Sequence, residues 1–165
     1  MLKLNIKLSS IKLSSNIIDH GDTIRVSITT IPDEQKKAQI FDVADMDVAM
    51  PSFQIKMNDC IQKILIVFRK KSFFSDGPII ASTVIHRDDI GIFDGSEDED
   101  YKKINIYETN RNKTKQKNRR VVGSMEVFFS LKEELQHVHY VVKQEDGKKY
   151  SSLRAFFNEN ENPNF

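Results

Sequence analysis

The segment LKLNIKL places Leu2, Leu4, Ile6 and Leu8 on one side of an extended chain and Lys3, Asn5 and Lys7 on the other. A repeat of two residues is the period of a strand, not of a helix. This alternation constrains the fold more than any other feature because it returns along the chain. Ile24, Val26 and Ile28 alternate inward across Thr23 to Thr29, and Phe53, Ile55 and Met57 do the same across SFQIKMN. Ile64 to Phe68 is an unbroken aliphatic and aromatic run, the pattern of a central strand covered on both faces. Ile79 to Ile85 follows an Asp76-Gly77-Pro78 turn, Lys103 to Glu108 and Val121 to Leu131 complete the series, and a further strand is expected around Gln39 to Val43. About eight strands joined by polar links, with few good helical stretches between them, predict an all-β antiparallel sandwich. A parallel α/β sheet would need crossovers of about a dozen residues or more, which a link as short as Ser72 to Asp76 cannot supply.

At 165 residues the chain fits one domain with a short extension. The predicted division is a sandwich over 1–131 and an extension over 132–165. In the extension, Lys132 to Tyr140 reads as one or two helical turns, or else His139 to Gln144 pairs with Lys149 to Leu153 across Asp146-Gly147 as a hairpin. The closing NENENPNF reads as a polar tail. A hydrophobic content of 39% with 30% charged residues excludes wholesale disorder. The formal net charge of +1 hides segregation, because acids cluster at Asp88 to Asp100 and bases at Lys102 to Arg120. The single cysteine, Cys60, can form no internal bridge, and no secretory leader opens the chain, so a cytoplasmic setting is expected. No apolar run approaches the roughly 18 residues that span a bilayer.

In this strand order the sequence resembles the C2-type domain, an eight-stranded calcium- and lipid-binding sandwich. The resemblance spans about Met1 to Leu131 and rests on LKLNIKL, GDTIRVSI, MPSFQIKM, ILIVFRKKSFFSDG and GSMEVFFSL taken in order. It implies a Greek-key sandwich and places the calcium-binding aspartates of the family in two loops at one rim. A hard divalent ion takes about six to eight oxygen ligands. Here the first loop offers Asp22, with Asp19 nearby, and the second position carries Arg69, Lys70 and Lys71 with only Asp76 beyond. Cations at liganding positions repel the ion they would hold. The expectation is therefore no metal and no cofactor, with Asp22 and Asp76 as residual candidates.

Three segments are candidate contact sites. In NRNKTKQKNRR, Arg111, Lys113, Lys115, Lys117 and Arg119 would share one face of an extended chain about 6.6 Å apart, joined by Arg120. Such a ladder contributes about 1 kcal/mol per residue near an anionic bilayer, and is drawn equally to an acidic protein surface such as a filament lattice. Its bland reading is a solvated loop. Phe73 and Phe74 follow Arg69, Lys70 and Lys71 in what the resemblance implies is a membrane-facing rim loop. Burying one such ring contributes roughly 1.5–3 kcal/mol; the alternative is that the pair caps the core. Leu153, Phe156 and Phe157 have helical spacing ahead of the tail and would dock on a partner or fold back on the sandwich. Glu97 to Asp100 reads as a solvated loop, and His137 with His139 lacks the further ligands a zinc site needs.

No glycine-rich phosphate loop, nucleophile elbow or convergent carboxylate pair is present, so no reaction can be written. The expected function is a non-catalytic, calcium-independent interaction or scaffold module that binds an acidic protein or assembly, in one version cytoskeletal. The competing expectation is a peripheral adaptor on anionic phospholipid. Nucleic acid is not expected as a partner, and no small-molecule substrate is expected.

Overall fold

The computed structural model describes residues 1–72, 76–95, 98–109, 119–133, 140–145 and 148–153. Eight strands form the body: β1 (Leu2–Leu13), β2 (Thr23–Ile31), β3 (Lys36–Asp42), β4 (Ser52–Lys56), β5 (Lys63–Lys71), β6 (Asp76–His86), β7 (Glu99–Glu108) and β8 (Val121–Glu133). Every pairing is antiparallel, in the order β3-β2-β5-β6-β7-β8-β1-β4. Between the strands the described residues form only short 3-10 turns, such as Val43–Asp45. No helix is long and apolar enough to cross a membrane among the described residues.

The ladder nearly breaks between β6 and β7, where only Ala81 opposite Glu108 and Ser82 opposite Tyr107 are paired. The sheet folds over at this seam into two leaves, β3-β2-β5-β6 and β7-β8-β1-β4, which close on one core. Alternation decides what enters it. Leu4, Ile6 and Leu8 from one leaf meet Ile24, Val26, Ile28 and Phe68 from the other, all with no solvent exposure. Each such side chain contributes about 1.5–3 kcal/mol through burial.

The opposite side is closed by side chains. Gln35, just after the β2–β3 turn, imitates a peptide unit: its Oε1 accepts the Lys56 backbone N–H at 2.7 Å, and its Nε2 donates to the Lys56 carbonyl at 2.9 Å. Gln39 donates to the Ser52 carbonyl at 2.7 Å. Two glutamines on the β3 side thus satisfy backbone groups along the β4 edge, which would otherwise be a template for foreign strands. Asp33 organises the same corner by accepting hydrogen bonds from Thr30 Oγ1, from Gln35 Nε2 at 2.6 Å and from Asn58 Nδ2 at 2.6 Å.

Several local expectations are corrected. The Asp76-Gly77-Pro78 turn is the start of β6, and the β5–β6 register shifts there, which accommodates a proline without an N–H. The β5 run is covered fully on one face and in part on the other: Ile64, Ile66 and Phe68 are in the core, and on the outside Val67 is buried whereas Leu65 is half-buried. The acidic run is not a solvated loop at its end, because Glu99 and Asp100 open β7. Asp100 leaves 8% of its side chain exposed and accepts the backbone N–H groups of Gly91 at 3.0 Å and Tyr101 at 2.8 Å. After β8, β9 (Tyr140–Glu145) pairs with β10 (Lys148–Leu153) as a separate two-stranded hairpin, the second of the two arrangements expected.

Candidate functional site: the loop end and its cations

Strands β1, β3, β5 and β7 end, and β2, β4, β6 and β8 begin, at one end of the sandwich. Of the cations singled out in the sequence, Arg69, Lys70, Lys71, Arg119 and Arg120 lie there. Arg69, Lys70 and Lys71 are the last three residues of β5 rather than a rim loop. Lys70 Nζ lies 3.0 Å from Asp22 Oδ2. Asp22 Oδ2 also accepts the Asp19 backbone N–H at 2.7 Å. This hydrogen bond, followed by the one from Lys70, holds the Asp22 carboxyl below its ordinary value. The Asp22 carbonyl takes the Val43 N–H at 2.9 Å, tying the β1–β2 connection to the start of the β3–β4 one. A lysine ammonium therefore occupies the neighbourhood in which the resemblance would put a divalent ion. Asp76 stands opposite Lys71 in the ladder. Among the described residues no three acidic, histidine or cysteine side chains converge on one point.

On the outer face of the β3-β2-β5-β6 leaf, Arg25 stands directly opposite Arg69, and Ile40 stands directly opposite Arg25 on the other side. Arg69 Nη1 donates to the Gly77 carbonyl at 3.4 Å, and Arg119 Nη1 donates to Ser82 Oγ at 3.4 Å, so both guanidinium groups lean over this leaf. Arg120 Nε lies 3.8 Å from Glu108 Oε2. The end is not uniformly positive: Asp42, Asp45 and Asp47 lie in or beside the β3–β4 connection, where Asp42 accepts from Thr23 Oγ1 at 2.9 Å. The surplus of positive charge is on the β2–β5 side.

Sequence reasoning missed the apolar part of this end. Val48 is 75% exposed and Met50 58% exposed, both in the β3–β4 connection. The signal was present in DMDVAMP, where Val48 and Met50 stand among acids and a proline with no periodicity to draw attention to them. Arg25 was also missed, since its position opposite Arg69 depends on register rather than spacing. Phe73, Phe74, Arg111, Lys113, Lys115 and Lys117, together with the Glu97, His137 and His139 readings, lie outside the described residues, as do Phe156 and Phe157. Leu153 is the last residue of β10, opposite Tyr140, rather than part of a helical turn.

The fold has a counterpart of known structure. A C2 domain of a plant extended synaptotagmin 1 superposes with a TM-score of 0.55 at 14% sequence identity, covering 79% of this chain and 93% of that one. No protein-family model matches the sequence. No curated protein matches it either. The likeness shows the fold, an eight-stranded antiparallel sandwich of the C2 type.

Proposed function

We propose that this C2-type sandwich is a non-catalytic interaction module that holds an acidic protein surface without calcium. One observation carries the reading: Arg25, Arg69, Lys71, Arg119 and Arg120 gather at the loop end, with Arg25 and Arg69 directly opposite on neighbouring strands. Summed positive potential steers and holds an acidic partner. Lys70 on Asp22 supports calcium independence, since an ammonium already supplies the countercharge. Arg111, Lys113, Lys115 and Lys117 would extend the same positive surface.

The test is retention of the whole chain on immobilised polyglutamate across a salt series. Binding should weaken as salt rises, and replacing Arg25, Arg69 and the odd-numbered cations Arg111 to Arg119 by glutamine should abolish it. Retention that ignores this replacement ends the reading. Exposed Val48 and Met50 favour a second reading, insertion into an anionic bilayer. Flotation with phosphatidylserine vesicles that is lost in Val48→Ser with Met50→Ser, alongside no retention on polyglutamate, selects it. Calorimetric titration with calcium should show no stoichiometric heat.

A further inference from the structure

The outer face of the β7-β8-β1-β4 leaf carries a pair of aromatic rings in the open. Phe128 on β8 and Tyr101 on β7 stand directly opposite each other, 41% and 47% exposed, with ring centroids 4.8 Å apart and planes tilted by 52°. Lys7 of β1 continues this row on the other side of Phe128. One flanking row reads Asn5, Ser130 and Glu99, and the other reads Ser9, Glu126 and Lys103. Asn5, Lys7, Glu99, Tyr101, Phe128 and Ser130 line one groove of about 480 Å³. That volume lies within the roughly 300–1,000 Å³ of small-molecule sites.

The rings are held in place. Tyr101 OH donates to Glu126 Oε1 at 2.8 Å, and Glu126 Oε2 in turn accepts from Ser10 Oγ at 3.0 Å and Ser9 Oγ at 3.4 Å. The tyrosine hydroxyl is engaged by the sheet, so what it offers a ligand is its face. The polar row has a direction: Ser52 Oγ donates to Asn5 Oδ1 at 3.0 Å, and Asn5 Nδ2 donates to Ser130 Oγ at 3.5 Å. An amide nitrogen carries two hydrogens and a hydroxyl one, so Asn5 and Ser130 each keep a donor after these bonds. Glu99, exposed at the start of β7, is an acceptor only. Around the rings the charges cancel, with Lys7 and Lys103 set against Glu99 and Glu126.

We propose that this groove binds a short uncharged oligosaccharide, with sugar rings resting by their C–H faces on Tyr101 and Phe128 and hydroxyls bonding to Asn5, Ser130, Glu99 and Lys7. The C–H groups of a sugar ring carry slight positive charge, and the face of an aromatic ring is the negative side of its quadrupole. Sugar hydroxyls both donate and accept, which matches donors on Asn5, Ser130 and Lys7 beside an acceptor on Glu99. Other ligand classes meet opposition here. A polyanion would face Glu99 and Glu126 beside the rings, and a cation would face Lys7 and Lys103. A flat neutral aromatic compound would use the rings and leave the polar row unmet. The site lies on the leaf away from Arg25 and Arg69 and does not depend on the acidic-partner reading.

Calorimetric and amide-shift titrations of the whole chain with maltopentaose, cellopentaose, xylopentaose, mannopentaose and chitopentaose test it. At least one sugar should bind with a Kd of about 1 mM or tighter. Its affinity should stay constant across a salt series, because the ligand carries no charge to screen. The backbone amides of Asn5, Tyr101 and Phe128 should shift. Tyr101→Leu with Phe128→Leu keeps apolar bulk but removes the flat faces, and should weaken that binding roughly tenfold or more. Asn5→Ala should weaken it about threefold to tenfold by removing one hydrogen-bonding group. The proposal is overturned if none of these sugars binds, or if the leucine pair binds as tightly as wild type. Affinity that falls as salt rises would overturn it too, since it would reveal a surface that reads charge. Should a variant fail to fold by circular dichroism, the wild-type shifts decide: they must centre on Asn5, Tyr101 and Phe128, and shifts centred on Arg25 and Arg69 refute the groove.

Discussion

Asp33 shows how one side chain ties the two leaves together. Burial raises its carboxyl pKa, and hydrogen bonds from Thr30, Gln35 and Asn58 outweigh this and hold it below the ordinary 3.8. A group depressed in the folded state contributes stability that is present above its unfolded pKa and is lost as pH falls through the folded value. The native chain should therefore lose stability below about pH 4, and Asp33→Asn should lose less over the same interval. At neutral pH the same substitution should cost about 1–3 kcal/mol, because an amide cannot accept all three donors. Urea midpoints at pH 7 and pH 3 measure both quantities, and parallel losses in the two proteins would contradict the role given to Asp33. Its neighbour Gln35 makes a narrower prediction. In Gln35→Ala the Lys56 N–H loses its 2.7 Å acceptor, so that amide should exchange faster by the equivalent of about 0.5–1.5 kcal/mol. None of this corner was legible in PDEQKK, where Asp33 and Gln35 look like ordinary turn residues.

At the scale of the strand, legibility followed alternation and failed where alternation was interrupted. LKLNIKL announced β1 only to Leu8, yet the strand continues to Leu13. The β1–β8 register slips between Ser9 and Lys12, with Ser10 at a left-handed φ of 49°, and the extra residue turns odd-numbered Ile11 into the core after even-numbered Leu4, Ile6 and Leu8. A bulge inverts the pattern a reader relies on. The bulge also brings backbone against backbone: a Cβ built on Gly123 would lie 2.0 Å from the Lys12 carbonyl oxygen. Gly123→Ala must push β1 from β8, and should destabilise the protein by about 1–3 kcal/mol or more. Gly21 has nothing within 4 Å of the same added carbon, so Gly21→Ala should be neutral or stabilising by up to about 1 kcal/mol. Chemical denaturation of both variants checks the contrast, and equal effects would remove the close approach as the cause. The same dependence on register hid the candidate sites. Spacing displayed the Arg111 to Arg119 ladder, whereas Arg25 beside Arg69 exists only once strands far apart in sequence are aligned.

For the whole molecule the question is whether two leaves joined by a seam as thin as Ala81–Glu108 and Ser82–Tyr107 behave as one unit. Hydrogen bonds alone would say no. The core says otherwise, because inward side chains such as Ile66 and Phe68 from one leaf and Ile6 and Phe129 from the other belong to a single buried cluster. Neither leaf can open without exposing the apolar face of its partner, and at about 25 cal/mol per Å² that exposure outweighs a few rungs of ladder. Unfolding should consequently be one cooperative transition, coincident by far-ultraviolet dichroism and by tyrosine fluorescence. A stricter form follows from the shared cluster. Ile66→Val removes one methylene from β5 and should cost about 0.5–1.5 kcal/mol. The loss should appear equally in the slowest-exchanging amides of β5 and of β8, which lie in different leaves but report the same global opening. A reduction confined to β5 and its hydrogen-bonded neighbours would mean that the seam, not the core, sets the cooperative unit, and that each outer face sits on a leaf able to open alone.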